Sequence, residues 1–326
     1  MATRRRPGRK IVLSLLPILL VLSVATAGAT AWIVYRVTHP HANPYLVTPD
    51  KFTQLSARGV KATEETWSNH DGTRTRGWLL KGTEGAPAVI LLHRYDADRS
   101  WLLNLGVKIN EQTNFTVLWP DQRGHGENPP VKTSALGFLE GDDALAALGY
   151  LRSLKNANGH PSVGQAIGIF GVEMGSYAAL KAASMDSGIT SLALDSVPSA
   201  PSDVVKLAVR LQLGVDNKPV QSLAKLGMQA YLMGHYDDVS SCKLASGISR
   251  RQILLLAGEG SGDLRESTSA LADCFSQSSD NVETQTSLPL VGYSLHPSTG
   301  QQEEAYDRRV IDFFDKALRI PVPSSD

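Results

Sequence analysis

The stretch Ala166-Ile167-Gly168-Ile169-Phe170-Gly171-Val172-Glu173-Met174-Gly175-Ser176-Tyr177-Ala178-Ala179-Leu180 decides how this chain folds. Its first residues form a short, continuous apolar run, the pattern of a strand buried on both faces of a parallel sheet. From Ser176 to Ser184 the sequence is alanine-rich and reads as a helix. Between the two lie Gly171 and Gly175, where a sharp strand-to-helix turn needs residues without side chains because the backbones approach closely. At the centre of that turn stands Glu173.

Working outward, similar apolar runs occur at Ala88 to Leu92, Phe115 to Trp119, Ser191 to Leu194 and Gln252 to Leu256, with a further strand near Gln285 to Leu290. Gly59 to Trp67 and Arg76 to Lys81 read as antiparallel strands around the Asp71-Gly72 turn. Helical stretches alternate with these runs at Ser100 to Gln112, Leu139 to Leu154, Arg265 to Phe275 and Gln302 to Leu318. This alternation predicts an α/β fold with a doubly wound, mostly parallel sheet. Residues 198–249 break the rhythm with two helices, Val204 to Leu213 and Ser222 to Met233, and read as a small helical cap over the sheet's C-terminal edge.

The order of elements resembles the α/β-hydrolase superfamily, in its lipase, peptidase and esterase branches, over nearly the whole chain after the apolar segment that ends at residue 37. Leu91-Leu92-His93 followed by Arg94-Tyr95 is similar to the strand end and oxyanion loop, where the family usually has His-Gly. Asp121-Gln122-Arg123-Gly124-His125-Gly126 is similar to its Asp-x-Arg-Gly-His-Gly turn. Gly171-Val172-Glu173-Met174-Gly175 falls where the family has the Gly-x-Ser-x-Gly nucleophile elbow, with both glycines kept and the serine replaced. The resemblance implies a histidine before the last helix, which is His296, and an acid in the loop after a late strand. The usual acid position falls on Ser261, so Asp263, Glu259 and Asp195 stand as candidates. His93, Arg94, Tyr95 and Met174 are the candidate binding residues.

A helix N-terminus favours an anion, so Glu173 is expected to be ionised. It cannot repeat serine chemistry, although relatives that hydrolyse haloalkanes and epoxides use an aspartate nucleophile at this place. Three readings follow. The domain binds a small molecule or protein without serine-hydrolase activity. Or it hydrolyses by an altered mechanism, with Glu173 as nucleophile or base and His296 as base. Or the serine is relocated, to Ser176 or Ser196. A long cation at Arg94 is expected to neutralise Glu173 across the pocket.

Ahead of this domain, Ile11 to Tyr35 forms an uncharged stretch of about 25 residues, more than the roughly 20 a helix needs to cross a bilayer. Arg4, Arg5, Arg6, Arg9 and Lys10 precede it, which predicts a cytoplasmic N-terminus and an exported domain. An uncleaved anchor over residues 11–37 and a signal cleaved near Ala27 or Ala31 are both compatible with this run. The basic segment 1–10 precedes the anchor, residues 38–51 read as a linker, 52–320 as the domain and 321–326 as a tail. Cys242 and Cys274 are the only cysteines and lie in the exported part, either bridged or as two thiols.

Lysine plus arginine balances aspartate plus glutamate at 32 each, so no global field favours nucleic acid. No Cys-x-x-Cys, P-loop or dinucleotide fingerprint is present, and neither a metal nor a cofactor is expected. Asp142 and Asp143 sit near a helix start, where acids stabilise the dipole. His125 reads as a structural part of its turn. His235, Asp237 and Asp238 read as solvated cap surface.

Overall fold

Continuous apolar runs require cover on both faces, and the structure supplies it. The computed structural model describes residues 7–41, 44–55, 61–233, 236–275, 281–292 and 300–320. Its strands are β1 (Thr63–Ser68), β2 (Arg74–Leu80), β3 (Ala88–Leu92), β4 (Thr116–Pro120), β5 (Ile167–Val172), β6 (Ile189–Asp195), β7 (Gln252–Gly258) and β8 (Asn281–Leu288). They form one sheet in the order β1-β2-β4-β3-β5-β6-β7-β8. The β1–β2 and β2–β4 pairs are antiparallel, and every later pair is parallel. All residues of β3, β4 and β5 are buried, as their composition predicts. The last strand begins at Asn281, ahead of the expected Gln285, because an edge strand with polar Asn281, Glu283 and Thr284 carries no apolar run to mark it.

On one face pack α3 (Leu103–Thr113) and the C-terminal helix, α10 (Gln301–Leu318), with Tyr306, Val310 and Phe314 against Val89, Phe170 and Leu254. The other face is covered by α4 (Glu140–Ser153) and α5 (Met174–Met185), whose Ala178, Ala179 and Ala182 lie in the core with Ile90 and Ile169. Alanine here lets the helix sit close on the sheet. The cap comprises α6 (Pro201–Leu213), α7 (Lys218–Tyr231) and a short third helix, α8 (Ser241–Ser246), that the apolar periodicity did not reveal. A disulfide joins Cys242 in α8 to Cys274, just beyond α9 (Asp263–Leu271), so the pairing left open by sequence is made.

The N-terminal apolar run is a single helix, α1 (Pro7–Thr38), of which Ser14–Thr38 is long and apolar enough to cross a membrane. Side chains such as Leu19, Leu20 and Val24 are exposed, whereas Ile33, Val34 and Val37 are buried in one apolar cluster with Tyr95, Met174, Val205 and Met228. The last turns of α1 therefore lie against the cap. Gly227 permits the close crossing, since a Cβ there would press on the side chains of Val34 and Thr30. Among the described residues of 38–51, two hydrogen bonds tie the chain to the domain: the Tyr45 hydroxyl donates to Asp121 Oδ2 (2.6 Å) and the Leu46 N–H to Ser100 Oγ (3.0 Å). A short helix, α2 (Pro49–Leu55), follows.

Candidate functional site

The turn between β5 and α5 sets the site. Glu173 takes φ 52° and ψ −109°, a conformation that non-glycine residues rarely adopt. Backbone bonds hold it there: its N–H donates to the Asp195 carbonyl (2.9 Å), and its own carbonyl accepts from Ser176 N–H (3.0 Å) and Tyr177 N–H (3.1 Å). The flanking glycines are needed for contact. A Cβ on Gly175 would strike the Leu92 and His93 carbonyls, and one on Gly171 would strike Gly175 and Ser176 backbone. Gly175→Ala is therefore expected to lower stability by roughly 2 kcal/mol, read from the denaturant midpoint. A midpoint equal to the parent's would mean that the turn has slack.

The Glu173 side chain is 3% exposed. Burial pushes its pKa up to about 7, against the opposing pull of the Arg94 charge, the Tyr95 and Met174 N–H groups and the Arg210 charge. Desolvation thus outweighs the helix terminus, and the carboxyl is poised near neutrality where the sequence predicts a plain carboxylate. Its Oε1 has no hydrogen-bond partner among the described residues. Arg94 makes no ion pair with it. The guanidinium instead donates to the Tyr95 carbonyl (3.0 Å) and stacks over Trp101, its carbon 4.9 Å from the ring centroid. The expected neutralising bridge is replaced by a longer-range field.

Behind the turn, Asp195 at the end of β6 is fully buried, with a pKa raised to about 6 by burial. Its Oδ1 accepts from Ser196 Oγ (2.6 Å), and its Oδ2 accepts from the Gly292 N–H (2.7 Å) and from the Tyr306 hydroxyl. A carboxylate offers about four acceptor positions, so three are already filled. Ser196 Oγ also contacts Ser261 Oγ (3.1 Å), which in turn accepts the Gly258 N–H (2.9 Å).

Solved structures resemble this arrangement over most of the chain. The Pyrococcus furiosus esterase Pf2001 superposes with a TM-score of 0.64 at 17% identity, covering 86% of this chain and 98% of its own. A carboxyl esterase from Bacillus coagulans gives 0.55 at 14% identity, covering 79% and 99%. The 2,6-dihydroxy-pseudo-oxynicotine hydrolase gives 0.58 at 15% identity, covering 83% and 71%. The fold is that of the α/β-hydrolases. No family model and no curated protein sequence matches the chain.

At the turn between β5 and α5, the N–H groups of Tyr95 and Met174 act on the Glu173 carboxyl. Ser261, where the sequence reading places the acid, is buried, and the acid candidates separate in space. Asp195 lies beneath the turn; Asp263 opens α9 and is exposed on the wall of the groove in front of Glu173. Of Glu259 only the backbone is described, at the start of a short 3-10 turn. His296 lies outside the described residues, as does His235.

The remaining histidines of the motifs are structural. His93 Nε2 accepts the Gln122 N–H (3.0 Å) and its Nδ1 donates to the Arg94 carbonyl (2.8 Å). His125 Nε2 accepts the Asp96 N–H (3.1 Å) and its Nδ1 donates to the Arg123 carbonyl (2.9 Å). Burial pushes the two rings down to about 4 and about 3, so both are neutral spacers between loops. In the same turn Arg123 pairs with Asp143 (2.5 Å), and Asp142 pairs with Lys181 (3.0 Å). Asp238 pairs with Lys225 (2.6 Å). Among the described residues no group of His, Cys, Asp and Glu could hold a metal.

Tyr95 and Met174 are placed apart from the open groove, under α1: the Tyr95 hydroxyl donates to the Val37 carbonyl (2.8 Å), and both side chains are fully buried. Ser176 donates to the Glu173 carbonyl (2.6 Å) and is fully buried, so neither it nor Ser196 faces an open space as a nucleophile must. Three participants escape a reading of the sequence: Tyr306, Arg210 and the end of α1. Tyr306 sits on the apolar face of a helix and Arg210 on the polar face of another, patterns that serve core and surface equally well.

Proposed function

We propose that this protein is a membrane-anchored hydrolase-fold domain that binds a ligand or partner through the groove in front of Glu173 and does not perform serine-type hydrolysis. The observation that carries this is the Glu173 carboxyl itself. It stands in place of the attacking hydroxyl, and the Tyr95 and Met174 N–H groups act on it, although they would otherwise face the oxygen of a tetrahedral intermediate. The buried, triply bonded Asp195 supports the same reading. The basic residues before α1 and the disulfide support an exported domain, since disulfides persist in oxidising compartments.

One observation favours a second reading. A carboxyl with a pKa near 7 facing an open groove suits general-base or nucleophilic chemistry at neutral pH, with His296 as its partner. A panel of acyl esters, epoxides and haloalkanes separates the two. The binding reading expects no turnover by the full chain in detergent, and no more than a trace from Glu173→Ser. Turnover that vanishes in Glu173→Gln would establish the second reading, and turnover unaffected by that change would overturn both.

A further inference from the structure

The groove in front of Glu173 has a volume of about 1030 Å³ and runs between α6, α7 and the 259–264 turn. Its charges sort into two groups. Lys206 is paired with Asp203 (2.6 Å) and Lys225 with Asp238 (2.6 Å), and Asp216 accepts from Gln221 Nε2 (2.7 Å). Arg94, Arg210 and Lys218 line the groove with no carboxylate partner among the described residues, facing Glu173 and Asp263. Arg94 and Arg210 both act on the Glu173 carboxyl. The floor of the groove therefore combines two guanidinium groups that lack a carboxylate pair, Arg94 and Arg210, with a buried acceptor, Glu173 Oε1, that lacks a donor. An anion binds the first, and a hydroxyl close to that anion satisfies the second. An ammonium group is disfavoured there by the two guanidinium charges.

The position of α7 says where such a molecule comes from. Lys218, Gln221, Ser222 and Lys225 line the groove, while Ala224, Gly227 and Met228, on the other side of the helix, are buried toward α1. Gly227 lies against Thr30. A bilayer core takes roughly 20 residues of helix, and counting from Ile11 this brings Thr30 to its far edge. Leu226, 62% exposed, then sits at the level of the bilayer surface, with Trp32 and Tyr35, both exposed, as the aromatic residues typical of that boundary. The groove is thus only the width of one helix away from the anchor, beside the leaflet.

From these features we infer that the groove takes the headgroup of a membrane lipid bearing a phosphate diester and free hydroxyls, with the phosphate at Arg94, Arg210 and Lys218 and a hydroxyl donating to Glu173. This rests on the binding reading above and names its ligand class.

The test uses the full chain in phosphatidylcholine nanodiscs containing a minor fraction of phosphatidylglycerol, with the retained lipids read by native mass spectrometry. Phosphatidylglycerol should be enriched on the protein, and Arg210→Ala with Lys218→Ala should reduce that enrichment about tenfold, as expected for loss of charge-assisted contacts. Both side chains are exposed, so the fold should survive, and the thermal midpoint checks this. Enrichment unchanged in the double variant would overturn the inference, because the lipid would then be held elsewhere, for example by Arg4 to Lys10. Preference for phosphatidylethanolamine would overturn the hydroxyl assignment, and equal competition by soluble glycerol phosphate would overturn the membrane source. Release of fatty acid from the bound lipid would instead defeat the non-hydrolytic reading and leave the binding result standing.

Discussion

Val37→Asp should unfold or detach the cap of the full chain in detergent, with a loss above about 4 kcal/mol, because it buries a carboxylate with no cation to pair it. Val37 is fully buried among Tyr95, Leu136, Met174 and the apolar faces of α6 and α7, and its carbonyl accepts the Tyr95 hydroxyl. Val37→Ala removes the same packing without the charge and should cost roughly 2 kcal/mol. Thermal unfolding followed by near-ultraviolet dichroism reads both, and tryptic cleavage at Lys206, Arg210 or Lys225 reports separation of the cap. A helix that only tethers the domain would give unchanged midpoints in both variants, and that outcome would refute a packed α1.

The second large effect is one of pH. The folded pKa of Glu173 is raised from 4.5 to about 7, so the native state binds the proton more tightly than the unfolded chain does. Stability from this group is complete below pH 4.5 and is lost as pH rises through 7. Glutamine keeps the size and cannot ionise. Glu173→Gln should therefore match the parent near pH 4 and exceed it above pH 7, with a gap approaching about 3 kcal/mol. Comparing the two proteins removes the contributions of Asp195, His93 and His125, which titrate in both. A gap constant between pH 5 and 8 would mean that the carboxyl is solvated and titrates as in a peptide.

What could be read from sequence follows the range of the forces involved. Gly171 and Gly175 were legible because a tight turn is a local steric demand, and the apolar runs of β3 to β7 were legible because each strand is covered on both sides. The electrostatics of Glu173 were not legible. Local reasoning gives the helix terminus, which favours charge, whereas burial under Arg94, Tyr95 and the cap is made by segments far apart in sequence. The same holds for Tyr306, whose hydroxyl reaches Asp195 across 111 residues. The end of α1 was misleading in another way. Ile33, Val34 and Val37 are apolar for the cap, yet apolarity at that place reads equally as membrane.

The crossing of Gly227 over Thr30 and Val34 also bears on motion. A cap that swings as a hinged lid needs one free edge, and here the helix at that edge is clasped to the end of α1. Opening by rotation would carry two turns of α1 along with it, or else break a largely apolar contact and the hydrogen bond from Arg36 to the Gln212 carbonyl (3.3 Å). Rotation of the cap is therefore tied to rotation of the long N-terminal helix.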